Sequence, residues 1–159
     1  MSLPLAVDGR GNALVRLVRC DNAELEDATS RTHCPLSLIV VADASTGDVL
    51  FGLNHWRREY ELPGGMIESE EGFEEAAVRE LKEETGIDAV SPDLVGYAQF
   101  ALENPRRREL GAVYRVQVGG QDAVPSDELV DFVWQKAGEP TDLDISPLDD
   151  AIASWAIGT

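Results

Sequence analysis

Short apolar runs separated by polar turns occupy much of this chain, which is the pattern of a protein rich in β-strands. Residues 36–41 (LSLIVV) form one such run and predict a buried central strand. Residues 45–48 (STGD) predict a turn into a second strand at 49–53, so these two strands should form a hairpin. Residues 21–33 are polar and rich in turn formers, and we expect a loop there. Further strands are predicted at residues 13–18, 60–63, 94–102, 111–118 and 130–134.

Two other segments have the apolar stripe and the end signals of helices. The first covers residues 73–85, with Gly72 as its N-cap and Gly86 at the place of a left-handed C-terminal glycine. Its core-facing stripe consists of Phe73, Ala77, Leu81 and Val78. The second helix begins at Ser146 and Pro147, an N-cap followed by a first-turn proline. The mixture of helices and strands predicts an α/β layered domain.

Length and composition fit a compact protein of one domain, residues 1–159. No stretch approaches the roughly 20 apolar residues that a membrane-spanning helix needs. The segment MSLPLAVDGRG lacks the basic and apolar regions of a signal peptide, so we expect a cytoplasmic location. Cys20 and Cys34 match no metal-binding spacing and are interpreted as reduced structural thiols.

The charge is strongly negative: 30 acidic residues against 13 basic ones give a formal net charge of −17. Such a field repels phosphate backbones and anionic lipid headgroups, so we expect neither a polymeric nucleic acid nor a membrane as partner. A small nucleotide that arrives with a bound cation is still compatible with this charge.

Three acids stand close together near the end of the first predicted helix. Glu80, Glu83 and Glu84 are spaced i, i+3 and i+4, so they share a face, and each like-charged pair costs about 0.2–0.5 kcal/mol in an isolated helix. Magnesium prefers carboxylate oxygens and would turn this repulsion into ligation. A solvated acidic helix face is the alternative that the spacing alone leaves open.

The surrounding residues decide between these interpretations. The pattern G-x5-E-x7-R-E-U-x-E-E-x-G-U, where U is aliphatic, is the signature of the Nudix hydrolases. The chain resembles that family because it meets every defining position, at Gly65, Glu71, Arg79, Glu80, Leu81, Glu83, Glu84, Gly86 and Ile87. Many members carry glycine just before the first acid of the motif, where this chain has Glu70. The resemblance implies a mixed β-sheet sandwiched between helices.

The same resemblance implies an activity and a metal site. Family members use magnesium or manganese to hydrolyse the diphosphate of a nucleoside diphosphate linked to another group. By resemblance, the Gly65 carbonyl and the carboxylates of Glu80, Glu83 and Glu84 hold the metal. Arg79 pairs with a neighbouring acid of the motif, for which Glu71 is the best candidate, and so orients the ligands.

The general base differs among branches of the family. In some branches it is the acid at the position of Glu80, and in others it is an acid on a loop far downstream. Glu128, just before the last predicted strand, is the best downstream candidate, and Asp127 and Glu109 are weaker ones. We favour Glu80 because the helix fixes its place, whereas a solvated loop is the alternative interpretation of Glu128.

The substrate is the least determined part of the prediction. Residues 58–65 resemble the segment that precedes the motif in ADP-ribose and nucleotide-sugar pyrophosphatases. Arg58, Tyr60 and Arg107 are the candidate substrate-binding residues, although a solvated loop also explains the triplet at 106–108. A nucleoside triphosphate pyrophosphohydrolase of the MutT type and a nucleotide sensor without activity are the alternatives, and a homodimer is left open.

Overall fold

The computed structural model describes residues 3–158, which form nine strands and three helices. In chain order these are β1 (Ala6–Val7), β2 (Ala13–Arg19), α1 (Asn22–Thr29), β3 (Leu36–Asp43), β4 (Val49–Asn54), β5 (Tyr60–Glu61), β6 (Gly64–Met66), α2 (Phe73–Thr85), β7 (Asp93–Leu102), β8 (Arg107–Val118), β9 (Leu129–Gln135) and α3 (Pro147–Ile157).

The strands form one mixed sheet with β3 near its middle. The main order is β1-β2-β7-β8-β3-β4-β5, while β6 pairs with β3 and β9 pairs with β4. β3 runs parallel to β8, with Leu36 opposite Gly111, and the other pairs are antiparallel. The predicted pairing of β3 with β4 is present through Ala42 and Val49.

Helices cover both faces of this sheet, because the side chains of β3 alternate between two cores. Leu38 and Val40 pack in one core with Ile152 of α3. Ile39 and Val41 pack in the other with Leu81 of α2, and this second core also holds Leu25 of α1. The predicted sheet sandwiched between helices is therefore confirmed.

Helix α2, which carries the acids of the motif, has the predicted bounds. Its N-cap is Gly72, whose backbone N–H donates to Glu75 Oε1 at 3.1 Å. Its end is Gly86, whose left-handed φ of 76° lets its N–H reach the Lys82 carbonyl at 2.9 Å. Leu81 is fully buried, so the helix is anchored beneath the site by its apolar face.

The loop predicted at residues 21–33 is wrong, because α1 occupies Asn22–Thr29. Asp21 accepts a hydrogen bond from the Glu24 N–H at 2.8 Å, and Glu24 accepts one from the Asp21 N–H at 3.1 Å. This capping box and the burial of Leu25 stabilise a short helix in a polar sequence. The prediction also missed β6, which continues the chain past Gly64 along β3.

Candidate active site

Three carboxylates from two separate parts of the chain meet at the end of α2. One oxygen from each of Glu80, Glu84 and Glu128 lies within 4.8 Å of the other two. Glu80 and Glu84 are one helical turn apart on α2, whereas Glu128 comes from the loop before β9. We call these three residues the acid cluster.

The loop that carries Glu128 is fixed by its own hydrogen bonds. Ser126 N–H donates to the Leu129 carbonyl at 2.8 Å, and the Ser126 hydroxyl accepts from Leu129 N–H at 3.1 Å. The backbone carbonyl of Glu128 accepts from His55 N–H at 2.8 Å, which ties this loop to the β4–β5 connection. Glu128 is therefore held at the cluster by backbone contacts, and the predicted approach of this downstream acid is present.

Burial and like charge shape the acid cluster. Glu84 is only 4% exposed, and its Oε1 accepts from Gly64 N–H at 2.8 Å. Burial and a hydrogen bond shared with the Glu128 carboxyl raise the pKa of Glu84. Burial also raises the pKa of Glu80, against the lowering effect of Arg79. Three clustered oxygen donors of this kind fit a hard divalent cation such as Mg²⁺.

The motif glycine is required because of the closeness of Glu80. A Cβ atom built on Gly65 would lie 2.6 Å from Glu80 Cδ and Oε1 and 2.8 Å from Oε2. Any side chain at this position would displace the Glu80 carboxylate. No contact of the Gly65 carbonyl identifies it as a metal ligand, so that role stays a prediction.

Arg79 organises the acids outside the cluster. Its Nε and Nη2 donate to the two carboxylate oxygens of Glu71 at 2.7 and 2.9 Å, which is the expected pairing. These bonds, with one from the Glu68 N–H, lower the pKa of Glu71 to about 2. Arg79 Nη1 also donates to Glu80 Oε1 at 3.0 Å, so one guanidinium links the motif loop to the acid cluster.

Glu83 lies outside the cluster, and helix geometry explains why. From Glu80, a step of four residues turns the side chain by about 40°, whereas a step of three turns it by about 60° the other way. Glu83 is 58% exposed in its side chain, and its Oε2 accepts from Arg79 Nη1 at 3.1 Å. The structure brings Glu80 and Glu84 together and leaves Glu83 on the outer side of Arg79, so its role as a ligand stays a prediction.

Glu70 explains the glycine that many family members carry at its position. Its φ is 65°, in the left-handed region that glycine adopts freely. The turn before α2 has this backbone conformation even with a glutamate, at a cost of about 1–2 kcal/mol.

A cleft of about 610 Å³ runs from the acid cluster along the sheet. Its apolar lining consists of Leu36, Leu38, Leu62, Met66, Phe100, Leu102 and Leu148. Its polar lining consists of Asp8, Arg10, Asn12, Arg57, Glu59, Glu61, Ser146 and Asp149, with Glu80 and Glu128 at the end occupied by the cluster. The cleft thus offers an apolar surface for a ring and many hydrogen-bond acceptors.

Asp149 of α3 connects the wall of this cleft to the segment that precedes the motif loop. Its Oδ2 accepts from Leu62 N–H at 2.7 Å, and its Oδ1 accepts from the Ser146 hydroxyl at 3.3 Å. Burial and the neighbouring charge of Glu61 raise the pKa of Asp149 to about 7. Asp149, Arg10 and Arg57 carried no recognisable signal in the sequence apart from the position of Arg57 beside Arg58.

Among residues 3–158, the lining of the cleft does not include Arg58, Tyr60 or Arg107. Arg58 is exposed and has a left-handed φ of 56°. The Tyr60 hydroxyl donates to Asp131 Oδ2 at 2.7 Å. Arg107 contacts Glu109 and donates to the Pro105 carbonyl at 2.8 Å. The cationic groups of the cleft are Arg10 and Arg57, so the structure does not bring the three predicted residues to the site.

The two weaker candidates for a downstream base are placed differently. Asp127 is exposed and borders a small recess beside the acid cluster. Glu109 forms an ion pair with Arg107, and both residues lie at the start of β8. Glu128 is therefore the downstream acid that the fold brings to Glu80 and Glu84.

The sequence and the fold match known proteins. The NUDIX domain family matches residues 35–155. The chain is 35% identical over 75 residues to an ADP-ribose pyrophosphatase of Methanocaldococcus jannaschii, covering 47% of this chain and 44% of that protein. It is 32% identical over 80 residues to a putative 8-oxo-dGTP diphosphatase of Bacillus subtilis, covering 50% of this chain and 51% of that protein. The chain thus spans about half the length of these relatives.

A solved structure agrees with the fold. The NUDIX domain of Shewanella oneidensis NrtR, crystallised with ADP ribose, matches with a TM-score of 0.66 and 15% identity over 86% of this chain and 97% of that one. Within residues 3–158, no helix is long and apolar enough to cross a membrane.

Proposed function

Because the chain belongs to the NUDIX family, we propose that it hydrolyses the diphosphate bond of a nucleoside diphosphate linked to another group. ADP-ribose or a nucleotide sugar is the proposed substrate, and Mg²⁺ or Mn²⁺ is the proposed cofactor. The observation that carries this proposal is the acid cluster, whose oxygens lie within 4.8 Å of one another at one end of the cleft.

The acid cluster is suited to hold the cation because its donors are all carboxylate oxygens. Glu80, Glu84 and Glu128 would hold it, and when bound it supplies charge neutralisation for the diphosphate and a more acidic water. Asp, Glu and phosphate oxygens are the ligands that Mg²⁺ prefers. Burial and Glu128 raise the pKa of Glu84, and a bound cation would favour the ionised form of that carboxyl.

The remaining roles in the proposed hydrolysis belong to residues of the chain. Water attacks one phosphorus, the bond from that phosphorus to the bridging oxygen breaks, and the products are two phosphate monoesters. Glu80 accepts the proton that the water loses. Arg79 holds Glu80 from the side through the 3.0 Å bond from Nη1, so the base has a fixed orientation. Glu71 in turn fixes Arg79.

The choice of ADP-ribose or a nucleotide sugar rests on three observations. The segment before the motif resembles that of the corresponding pyrophosphatases, and one relative is named an ADP-ribose pyrophosphatase. The cleft also combines an apolar surface for a base with carboxylates such as Glu59 and Glu61 that can accept hydrogen bonds from sugar hydroxyls.

The test is turnover of a nucleotide panel by the purified protein with Mg²⁺. ADP-ribose and several nucleotide sugars are incubated with the enzyme, and the monoesters formed are measured as inorganic phosphate after phosphatase treatment. We expect release from ADP-ribose or a nucleotide sugar and its loss in excess chelator. Absence of release from every member of the panel, or full turnover in chelator, would contradict the proposal.

A pair of neighbouring variants tests the metal site. Glu84→Gln removes a buried member of the acid cluster, and we expect kcat to fall by about a hundredfold or more. Glu83→Gln removes an exposed acid that lies outside the cluster on the same helix, and we expect a smaller loss than for Glu84→Gln. Metal affinity, measured by calorimetry with Mn²⁺, should follow the same order, and equal losses in the two variants would show that the cluster is assigned wrongly.

A nucleoside triphosphate pyrophosphohydrolase is the second candidate, since another relative is named a putative 8-oxo-dGTP diphosphatase. The same panel includes 8-oxo-dGTP and dGTP, with pyrophosphate as the measured product. Faster release of pyrophosphate from these than of monoesters from ADP-ribose would favour this candidate. Tight binding of a nucleotide with no turnover would instead favour a sensor.

A further inference from the structure

Arg57 stands in the cleft with one edge of its guanidinium engaged and the other open. Its Nε and Nη2 donate to the two carboxylate oxygens of Glu61 at 3.1 and 2.8 Å. A guanidinium has five N–H groups, so the Nη1 edge keeps its donors. No other residue within 3–158 accepts a side-chain hydrogen bond from Arg57. The free edge can receive a planar pair of anionic oxygens without breaking the contact with Glu61.

A buried asparagine fixes the position of this arginine. Asn54 is 0% exposed, and its Nδ2 donates to Glu61 Oε1 at 2.8 Å. Its Oδ1 accepts from the backbone N–H groups of Trp56 and Arg57, both at 2.9 Å. Asn54 therefore holds both the loop that carries Arg57 and the carboxylate that orients its side chain, which reduces the entropy that a ligand contact would cost.

The same loop is joined to the acid cluster. His55 N–H donates to the carbonyl of Glu128 at 2.8 Å, two residues before Arg57. Arg57, Glu80 and Glu128 line one cleft. Anionic oxygens bound to a cation at the cluster would therefore face Arg57 across that cleft.

The other arginines near the cleft are held by different contacts. Arg10 donates to Glu59 at 2.8 Å and lies 3.7 Å from Asp8, in the turn between β1 and β2. Arg79 is surrounded by the glutamates of the motif and the Met66 carbonyl. Arg57 thus differs from Arg10 in its fixed position: two hydrogen bonds hold its guanidinium, whereas the side chain of Arg10 donates one, and Arg57 still keeps an unused edge.

We propose that Arg57 is a substrate-binding residue that contacts the diphosphate through its Nη1 edge, opposite the oxygens that face the acid cluster. This proposal rests on the proposed function for the identity of the ligand. It assigns to Arg57 the role that the sequence suggested for Arg58, because Asn54 directs the side chain of Arg57 to Glu61 and the cleft. Such a contact raises affinity for phosphate-bearing ligands and adds nothing to the binding of a nucleoside.

The test measures binding, so it does not depend on turnover. Adenosine 5′-(α,β-methylene)diphosphate cannot be cleaved between its phosphates and is titrated calorimetrically with Mg²⁺ present. We expect Arg57→Gln to weaken its binding about ten- to a hundredfold, the range for hydrogen bonds to charged groups. Arg57→Lys, which keeps the charge but loses the fork, should fall between this variant and the wild type.

Arg31→Gln is the matched control, because Arg31 also pairs with an acid four residues away, Asp27 of α1 at 2.6 Å, but lies just after α1 and outside the cleft. It should bind the analogue like the wild type. Thermal unfolding of each variant checks that the fold is kept, and Arg57→Lys keeps the test valid if Arg57→Gln unfolds.

The outcomes separate this proposal from the proposed function. Unchanged affinity in a folded Arg57→Gln overturns the role of Arg57, and so does a loss that appears in Arg58→Gln instead. If no nucleotide is hydrolysed but Arg57→Gln still weakens the analogue, the proposed function fails and the Arg57 contact stands. A wild-type protein that does not bind the analogue overturns both.

Discussion

Replacing Gly65 by alanine tests whether the position of Glu80 controls activity. The added Cβ would lie 2.6 Å from Glu80 Cδ, whereas ordinary contacts begin at 3.4 Å, so the carboxylate must move by about 0.8 Å. A misplacement of about 1 Å in a catalytic group can cost a hundredfold in rate, so we expect kcat to fall about ten- to a hundredfold. Since the clash involves the end of a flexible side chain, the free energy of unfolding should fall by only about 1 kcal/mol.

The assay compares this variant with one at a glycine that has room for a side chain. Gly119→Ala adds a Cβ with no heavy atom within 4 Å, so its turnover should equal that of the wild type. Turnover is measured with the nucleotide that the wild type hydrolyses best, and urea unfolding is measured on the same samples. Loss of activity with little loss of stability identifies displacement of Glu80 as the cause.

The reasoning would be refuted by Gly65→Ala with wild-type turnover. It would also be refuted if activity fell only in proportion to the unfolded fraction of the protein. In either case the close packing of Gly65 on Glu80 would be a feature of the fold without a role in orienting the carboxylate.

Two further predictions concern the carboxyl groups of the cleft. If Glu80 is the base, Glu80→Gln should lower kcat by about a hundredfold or more while Glu128→Gln costs less; the reverse order in steady-state kinetics would assign the base to Glu128. Asp149 has a pKa raised to about 7, above the ordinary value of 3.8, so its favourable contribution to stability is present below pH 4 and is lost as the pH rises to 7. Asp149→Asn should therefore match the wild type in urea unfolding at pH 4.5 and exceed it by about 1–3 kcal/mol at pH 8 in chelator. A variant that is less stable than the wild type at pH 8 would contradict the raised pKa.

The helix of the motif could be predicted from the sequence because its signals are local. Gly72, the acids of the first turn and Gly86 are adjacent in the chain to the ends that they define. In contrast, α1 depends on a capping box in a polar segment and on the burial of Leu25 against the sheet. The formation of α1 therefore depends on the contact of Leu25 with residues distant in the chain. The polarity of the segment alone predicted a loop.

Some features of the candidate site could likewise be predicted from the sequence, and others could not. The spacing of Glu80 and Glu84 follows from the helix, and the Arg79–Glu71 pair follows from the resemblance. The place of Glu128 depends on the Ser126 turn and on the contact with His55, neither of which has a pattern in the sequence. Spacing also put Glu83 with the other acids, although it is exposed and lies outside the cluster.

For a related reason, the sequence could not show whether Arg57 or Arg58 is the substrate-binding arginine. The two residues are neighbours with the same side chain, and the resemblance marked the segment without distinguishing them. Arg58 has a left-handed φ of 56°, and Asn54 Oδ1 accepts hydrogen bonds from the backbone N–H groups of Trp56 and Arg57. These two features determine which side chain faces Glu61. A single buried amide thus selects the arginine that lines the cleft.

The acids of the site differ in how their charge is compensated, and we expect this difference to favour a cation at the acid cluster. Arg79 forms ion pairs with Glu71, Glu80 and Glu83, which stabilise the turn before α2. Among the ion pairs within residues 3–158, none includes Glu84 or Glu128. If a cationic side chain neutralised these two as well, the cluster would be stable alone and would gain little from a metal. Because no such ion pair includes these two, a divalent cation bound at the cluster would stabilise both the fold and the position of the substrate that it carries.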